Sequence, residues 1–225
     1  MSERRNLRTG SGRAWRVNKF QDGVRQDGGY GRTAYTKCWC RKCEDSDSPS
    51  NVWWEIYVTS ATHVVFDEIE ANHTTLRLFY DKDESPVFSV DKVSVVDVNI
   101  ENDLCELKCV TCDKTLGNKL MEMYKHFENV RGKVLIKYVS SRSEHKFLFI
   151  VSHPHGCSKQ VSVGQWNDRL KVGGRFKFTY TTCTCPGSSG AHVQCLGYRD
   201  YWNWSELVHS GSLKSGLNYS GAGRV

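Results

Sequence analysis

The stretch FTYTTCTCPGSSGA, from Phe178 to Ala191, decides the interpretation of this chain. Its Phe, Tyr and Thr residues favour a β-strand, and the Pro-Gly-Ser-Ser-Gly run that follows favours a tight turn. Ser189 lies in that turn. A serine hydroxyl becomes an effective nucleophile when a neighbouring imidazole accepts its proton and a carboxylate orients the imidazole. The strand and turn therefore predict a serine whose partners come from elsewhere in the chain.

Two upstream segments supply candidate partners. His63 lies in TSATHVV, residues 59–65, directly after a run rich in aromatic residues, and Asp103 lies in ENDLCEL, residues 101–107, where another strand opens. A single histidine or aspartate in such a place is more often structural than catalytic. The joint occurrence of the three settings predicts that His63, Asp103 and Ser189 come together.

The rest of the chain has the pattern of an all-β protein. From Tyr35 onward, short runs rich in Val, Phe, Tyr and Thr alternate with turns, which favours antiparallel barrels over alternating β and α units. A helical repeat of apolar residues in 114–130 predicts one short helix midway. The predicted strands are Val52–Val58, Thr74–Tyr80, Val93–Val98, Leu104–Val110, Val134–Val139, Lys146–Val151, Val161–Trp166, Arg175–Thr181, His192–Tyr198 and Glu206–His209.

These segments resemble the trypsin-like, chymotrypsin-fold serine protease superfamily. SATH (60–63) is similar to its Thr-Ala-Ala-His segment, NDLCEL (102–107) to its Asn-Asp-Ile-Ala-Leu-Leu strand, and GSSG (187–190) to its Gly-Asp-Ser-Gly loop. The order His, Asp, Ser along the chain is also the order in this superfamily.

Further segments resemble particular parts of that superfamily. SHPHG (152–156), followed by VSVG (161–164), is similar to a segment of the intracellular high-temperature-requirement and glutamyl-endopeptidase-like branch. VHSG (208–211) is similar to the strand that walls the substrate cleft. The resemblance covers residues 33–215.

The resemblance implies an all-β fold of two six-stranded antiparallel β-barrels joined by a short helix. The N-terminal residues are rich in Gly, Arg, Asp and Gln with few apolar residues, which predicts a flexible tail. We expect a basic tail over residues 1–32 and a peptidase domain over 33–225. Within that domain the expected parts are an N-terminal barrel (33–113), a linker (114–130) and a C-terminal barrel (131–225).

The resemblance also implies roles for the three residues. His63 would be the general base, Asp103 would orient it, and Ser189 would attack a peptide carbonyl of a protein or peptide substrate. The backbone N–H groups of Gly187 and Ser189 would form the oxyanion hole. Secreted trypsins order this loop by pairing a freed N-terminus with an acid, but this chain has Ser188 at that position. Activation by zymogen cleavage is therefore not implied. A regulatory protein partner is one alternative way to order the loop.

The implied substrate pocket contains Cys183, His209 and Gly211. Cys183 would lie near its base, where it offers no acid to select Lys or Arg. His209 is similar in position to the imidazole that glutamate-specific bacterial relatives and picornavirus proteases present to a Glu or Gln side chain. We therefore expect cleavage after Glu or Gln, and the alternative is that His209 only packs in the barrel wall.

The ten cysteines predict a metal site. Without an apolar export signal they are expected to stay reduced, and close pairs of reduced cysteines are typical zinc ligands. We expect a structural zinc held by Cys40, Cys43, Cys109 and Cys112, with Cys38 as a substitute ligand. Four thiolates close the coordination shell and leave no position for water. The alternative is that these cysteines are small buried apolar residues.

Charge and composition narrow the remaining alternatives. The 225 residues carry a net charge of +6, of which residues 1–32 contribute +5. The sequence has no apolar run long enough to span a bilayer and no apolar signal-peptide core, so we expect a cytoplasmic protein without membrane contact. Two other functions stay open: an inactive trypsin-like domain that binds proteins, and, less expected, a zinc-stabilised protein that binds nucleic acid through its basic tail.

Overall fold

β-Strands are more extensive than helices in the structure, a computed structural model that describes residues 8–198 and 206–224. The helices of these residues are α1 (Arg41–Glu44), α2 (Glu68–Asn72) and α3 (Lys114–Tyr138). The strands are β1 (Arg13–Gln21), β2 (Val24–Arg25), β3 (Val52–Ser60), β4 (Leu76–Leu78), β5 (Phe88–Val90), β6 (Val93–Asn99), β7 (Leu104–Thr111), β8 (Phe147–Ser152), β9 (Gln160–Val172), β10 (Arg175–Tyr180), β11 (Val193–Cys195), β12 (His209–Ser212) and β13 (Asn218–Ser220).

Two curled antiparallel sheets form the two halves of the fold. The first has five strands in the order β2-β1-β3-β7-β6, and the second has six in the order β11-β8-β9-β10-β13-β12. A separate two-stranded sheet joins β4 to β5. The prediction of an all-β, chymotrypsin-like double barrel is confirmed, although the first sheet has five strands rather than six.

Each sheet covers its own apolar core. On β3, Trp54, Ile56 and Val58 point into one cluster, whereas Trp53 points to the opposite face and packs near a group of cysteines. This division follows from the alternation of side chains along a strand. The second barrel packs around fully buried residues that include Leu148, Ile150, Phe178 and Tyr180.

The prediction of a flexible tail over residues 1–32 is wrong for the part that the structure describes. β1 pairs with β3 from Arg13↔Thr59 to Gln21↔Val52, so the first barrel begins well before residue 33. The three apolar residues Trp15, Val17 and Phe20 are each at most 6% exposed. Three buried apolar residues are enough to hold this strand in place because β3 hydrogen-bonds its backbone. Polar side chains between them can then face solvent. Residues 1–7 lie outside the described range.

The connecting helix is longer than expected. Its N-terminus is capped by the Asp113 carboxylate, which accepts a hydrogen bond from the Leu116 N–H at 2.9 Å. The helix continues to Tyr138, so the predicted strand Val134–Val139 is wrong and the predicted end at residue 130 is too early. No proline interrupts the run, and each of its two glycines, Gly117 and Gly132, costs only about 1 kcal/mol inside a helix. Among the described residues, no helix is both long and apolar enough to cross a membrane.

Candidate active site

His63 and Asp103 meet where β3 ends and β7 begins. Ser60 pairs with Cys105 across these two strands, which brings the residues just beyond them together. The Nδ1 atom of His63 lies 3.0 Å from Oδ1 and 2.9 Å from Oδ2 of Asp103. The backbone N–H of His63 also donates to Oδ1 of Asp103 at 3.2 Å. The predicted contact of base and carboxylate is therefore present, and the carboxylate fixes both the ring and its backbone.

Asp103 has a further partner that the sequence did not indicate. The hydroxyl of Ser210, on β12, donates to Oδ2 of Asp103. Burial by itself would raise the pKa of this carboxyl, but the hydrogen bonds from His63 and Ser210 outweigh it and lower the pKa. Asp103 is thus ionised at neutral pH. The sequence analysis assigned Ser210 no role, although it lies in the quoted VHSG segment. The one hint in the sequence was its hydroxyl next to His209.

The turn that carries Ser189 lies against the end of β3. A Cβ on Gly190 (φ 83°) would lie 2.3 Å from Oγ of Ser60 and 2.7 Å from the N atom of Ala61, so only glycine permits this approach. Ala61 is two residues before His63, which brings the turn next to the base. Among the residues that the structure describes, no hydrogen bond joins the Ser189 hydroxyl to His63.

Two backbone N–H groups of this turn are available as donors. The carbonyl of Pro186 accepts from the N–H of His155 at 2.6 Å, and the carbonyl of Ser188 accepts from the N–H of Ala191 at 3.0 Å. In a trans peptide the N–H points opposite to the carbonyl, so these contacts orient the N–H groups of Gly187 and Ser189. Neither N–H has an acceptor within the described parts of the chain.

The predicted pocket residues occupy different environments. His209 is buried, and its Nδ1 atom lies 2.8 Å from the Tyr180 hydroxyl oxygen. Burial, followed by the nearby His63, lowers the pKa of His209 to about 4. Gly211 lies opposite Tyr219 in the β12–β13 pair, and Cys183 is exposed. Tyr180 was missed by the sequence interpretation because only the folded barrel brings it to His209.

Four cysteines form a cluster on the first barrel. The ligand atoms of Cys38, Cys40, Cys43 and Cys112 all lie within 4.8 Å of one another, and Sγ of Cys40 is 3.7 Å from Sγ of Cys112. The prediction of Cys109 as a ligand is wrong: its side chain is fully buried in the core beneath β7. Side chains alternate along a strand, so Cys109 and Val110 face opposite sides, and only Val110 faces the cluster.

Comparison with known proteins gives structural matches only. No protein-family model and no curated protein matches the chain. Solved structures that it resembles include trypsin-like serine proteases of the HtrA and Deg type. The active form of the Rv3671c protease from M. tuberculosis is 12% identical, with 92% of this chain and 75% of that chain covered and a TM-score of 0.41.

Two further matches are of the same kind. Deg5 is 11% identical, with 74% of this chain and 72% of that chain covered and a TM-score of 0.45. The HtrA-type protease AlgW with a tripeptide is 13% identical, with 93% and 56% covered and a TM-score of 0.43. At these identities and TM-scores the likeness carries no conclusion about this chain, so its fold and the roles of its residues depend on the sheets and contacts described above.

Proposed function

We propose that this protein is a serine endopeptidase that uses Ser189, His63 and Asp103. The observation that carries the proposal is the contact between Nδ1 of His63 and the ionised carboxylate of Asp103, beside a turn that presents a serine. A carboxylate on Nδ1 holds that nitrogen protonated and leaves Nε2 with its lone pair. A ring in this tautomer can accept a proton from a serine hydroxyl.

The proposed reaction follows from these groups. His63 Nε2 takes the hydroxyl proton of Ser189 while the Ser189 Oγ atom attacks the carbonyl carbon of the scissile peptide bond. The N–H groups of Gly187 and Ser189 stabilise the negative oxygen that forms, a contribution whose loss typically costs about 100- to 1000-fold in rate. The imidazolium then gives its proton to the leaving amine, and water hydrolyses the acyl-enzyme by the same steps. Asp103 stays ionised throughout.

A fluorophosphonate probe tests the nucleophile. We expect the probe to label the wild-type protein and not Ser189→Ala, with peptide hydrolysis lost in parallel. Cys185→Ala is the matched control, because this exposed cysteine lies four residues away and should be dispensable. Labelling of Ser189→Ala, or a wild-type protein that neither reacts nor cleaves peptides, would contradict the proposal and favour an inactive domain that binds proteins.

We also propose that the enzyme cleaves after Gln or Glu. Tyr180 supports this specificity because its hydroxyl lies 2.8 Å from Nδ1 of His209 and 3.2 Å from the carbonyl oxygen of Tyr219. Donation to the nearer Nδ1 atom leaves the N–H on Nε2. The lowered pKa keeps the ring neutral near pH 7. A neutral N–H donor suits an amide oxygen without adding a charge for a carboxylate, so Gln should be preferred to Glu.

Four peptides that differ only before the scissile bond test this specificity. We expect kcat/KM to fall in the order Gln, Glu, then Arg and Phe. Tyr180→Phe should lower kcat/KM for the Gln peptide about tenfold, the effect of one buried hydrogen bond. Preferred cleavage after Arg or Phe would reject the specificity while leaving the peptidase proposal intact.

We propose that Cys38, Cys40, Cys43 and Cys112 bind one structural zinc ion. With Zn–S bonds of about 2.3 Å, a tetrahedral site separates its sulfur atoms by about 3.8 Å, close to the 3.7 Å between Cys40 and Cys112. The backbone N–H of Ser50 also donates to Sγ of Cys43 at 3.5 Å. Burial by itself would raise the pKa of Cys43, but this contact and the hydrogen bonds from the other three cysteines outweigh burial and lower the pKa, which favours a thiolate. These two observations support a zinc ion rather than four unrelated thiols.

Metal analysis of purified variants tests the ligand set. We expect one zinc per wild-type chain and a large loss of zinc from Cys112→Ser. Cys109→Ala is the matched control because its side chain lies in the core, so it should retain the metal. Loss of zinc from Cys109→Ala but not from Cys112→Ser would show that the assignment is wrong.

A further inference from the structure

Ser11 makes four hydrogen bonds to three separate parts of the molecule. Its hydroxyl donates to the carbonyl of Gly187 at 2.8 Å and accepts from the N–H of His153 at 2.8 Å. Its N–H donates to the carbonyl of Ser189 at 2.8 Å, and its carbonyl accepts from the hydroxyl of Ser60 at 2.9 Å. The residue is 4% exposed. A residue just before β1 therefore links both barrels at the serine turn.

These bonds act on the backbone that would carry the oxyanion donors. The N–H groups of Gly187 and Ser189 flank the Gly187–Ser188 peptide, whose carbonyl is held by the Ser11 hydroxyl. The carbonyl of Ser189 is held by the Ser11 N–H. Gly187 has φ 95°, and glycine has many accessible conformations. The N–H of this peptide donates to the Cys185 carbonyl at 2.9 Å within the turn, so the Ser11 hydroxyl is the contact that ties the peptide to another part of the chain. Rotation of this peptide would change the directions of both donors.

The same hydroxyl reaches a second element that supports the turn. The Pro154–Gly156 turn follows directly after His153, and within it the N–H of His155 holds the carbonyl of Pro186. That contact orients the N–H of Gly187. Ser11 thus hydrogen-bonds the serine turn directly. Through His153 it also fixes the start of the Pro154–Gly156 turn, which contacts the serine turn from the other side.

No charged residue is available at position 188 for this task. Ser188 is fully buried, and its neutral hydroxyl contacts only the Ser152 hydroxyl at 3.2 Å and the N–H of Cys185 at 3.3 Å among the described residues. We propose that Ser11 is the positioning residue that holds the Ser189 turn in its active conformation. This inference rests on the proposed peptidase function, because it assigns Ser11 a role in that same site.

The experiment compares Ser11→Ala with the wild-type protein in two measurements. On a Gln peptide we expect kcat to fall at least about tenfold, and at most the roughly 100- to 1000-fold of a lost oxyanion donor, with KM little changed. By hydrogen exchange we expect the amides of Ser188, Gly190 and Ala191 to exchange at least about tenfold faster, because their acceptors lie in or beside the turn.

Ser50→Ala is the matched control. The Ser50 hydroxyl also donates to one backbone carbonyl and accepts from one backbone N–H, both of Val52, at a place remote in sequence from the turn. It should lower stability without changing kcat or exchange in residues 185–191.

The two measurements separate the two proposals. An active wild-type protein whose kcat is the same in Ser11→Ala overturns the positioning role, as does unchanged exchange in residues 185–191. If the wild-type protein is inactive, the peptidase function fails, and exchange alone then decides whether Ser11 holds the turn.

Discussion

Asp103 carries more contacts than any other group of the candidate site, and its backbone is adapted to them. Its φ of 52° lies in the left-handed region, which aspartate tolerates better than most residues. This conformation places one carboxylate within reach of the ring and backbone of His63 and the hydroxyl of Ser210. The three donors all point at an ionised carboxylate, which can only accept hydrogen bonds. Catalysis would require such an acceptor to keep the proton of His63 on Nδ1.

Replacing Asp103 by Asn should therefore stop catalysis without unfolding the protein. An amide can donate to Nδ1 of His63, so the ring would carry its proton on Nε2 and could not accept one from Ser189. We expect kcat for peptide hydrolysis to fall about 10,000-fold, while the melting temperature changes by a few degrees. Asp81→Asn, which removes an exposed partner of Lys159, should leave kcat unchanged. A loss below tenfold in Asp103→Asn would contradict the assigned role.

Glu106 should make stability depend on pH. Burial, only partly offset by Arg16, raises its pKa to about 7, and the acidic groups of Asp97 and Glu206 add to the rise. Because the folded pKa lies above the unfolded value of about 4.5, stability from the protonated form is complete below pH 4.5 and is lost as pH rises to 7. Melting temperatures of the wild-type protein and Glu106→Gln should diverge between pH 5 and 8, with the variant relatively more stable at pH 8. Parallel curves would contradict this expectation.

At the scale of the elements, short runs rich in Val, Phe, Tyr and Thr predicted several strands well. Val52–Val58, Val93–Val98 and Leu104–Val110 fall within β3, β6 and β7. β1 was missed because its polar composition indicates disorder when it is considered alone, whereas pairing with β3 satisfies its backbone. The end of α3 was missed because Val134–Val139 favours a strand locally, and the preceding helix overrides that preference.

Some contacts of the candidate site could likewise be predicted from the sequence, and others could not. The roles of His63, Asp103 and Ser189 could be proposed because each lies in a short motif with neighbours of its own. Ser11 lies in no such motif. Tyr180 and Ser210 lie within quoted segments, but their contacts to His209 and Asp103 arise only when separate strands approach. Cys38 and Cys109 were ranked by spacing alone, which says nothing about the face of a strand from which a thiol projects.

Two glycines of α3 give a matched test of its packing. A Cβ on Gly117 would lie 2.2 Å from the ring of Trp54, whereas a Cβ on Gly132 would have no neighbour within 4 Å. We expect Gly117→Ala to destabilise the fold by at least about 2 kcal/mol through overpacking. Gly132→Ala should stabilise it by about 0.5–1 kcal/mol because alanine favours the helix. Denaturant titrations of both variants measure the difference, and equal effects would contradict the packing of α3 on β3.

At the scale of the whole molecule, the cysteine cluster connects α1 to the end of β7, directly before the cap of α3. It packs with Phe20, Trp53 and Val110, so β1, β3 and β7 all contribute to its surroundings. A bound zinc ion would hold these elements together without a disulfide.

Removing that metal should destabilise the first barrel. We expect a strong chelator to lower the melting temperature by at least about 5 °C, since 1 kcal/mol shifts it by about 2–4 °C in a chain of this size. Added zinc should restore the value and magnesium should not, because thiolates bind soft metals. The Cys112→Ser variant should melt at the lower temperature with or without the chelator. A melting temperature that is insensitive to chelation would contradict a structural zinc.

The pairing of β1 with β3 determines how this protein can be shortened. A truncated version starting at residue 33 would leave β3 as an open edge, with unpaired backbone groups along the eight residues that β1 pairs with and Trp54 partly uncovered. Exposed edges of this kind recruit strands from other molecules. Recombinant fragments cut there should accumulate as aggregates, whereas fragments that keep residues 8–32 should remain in solution.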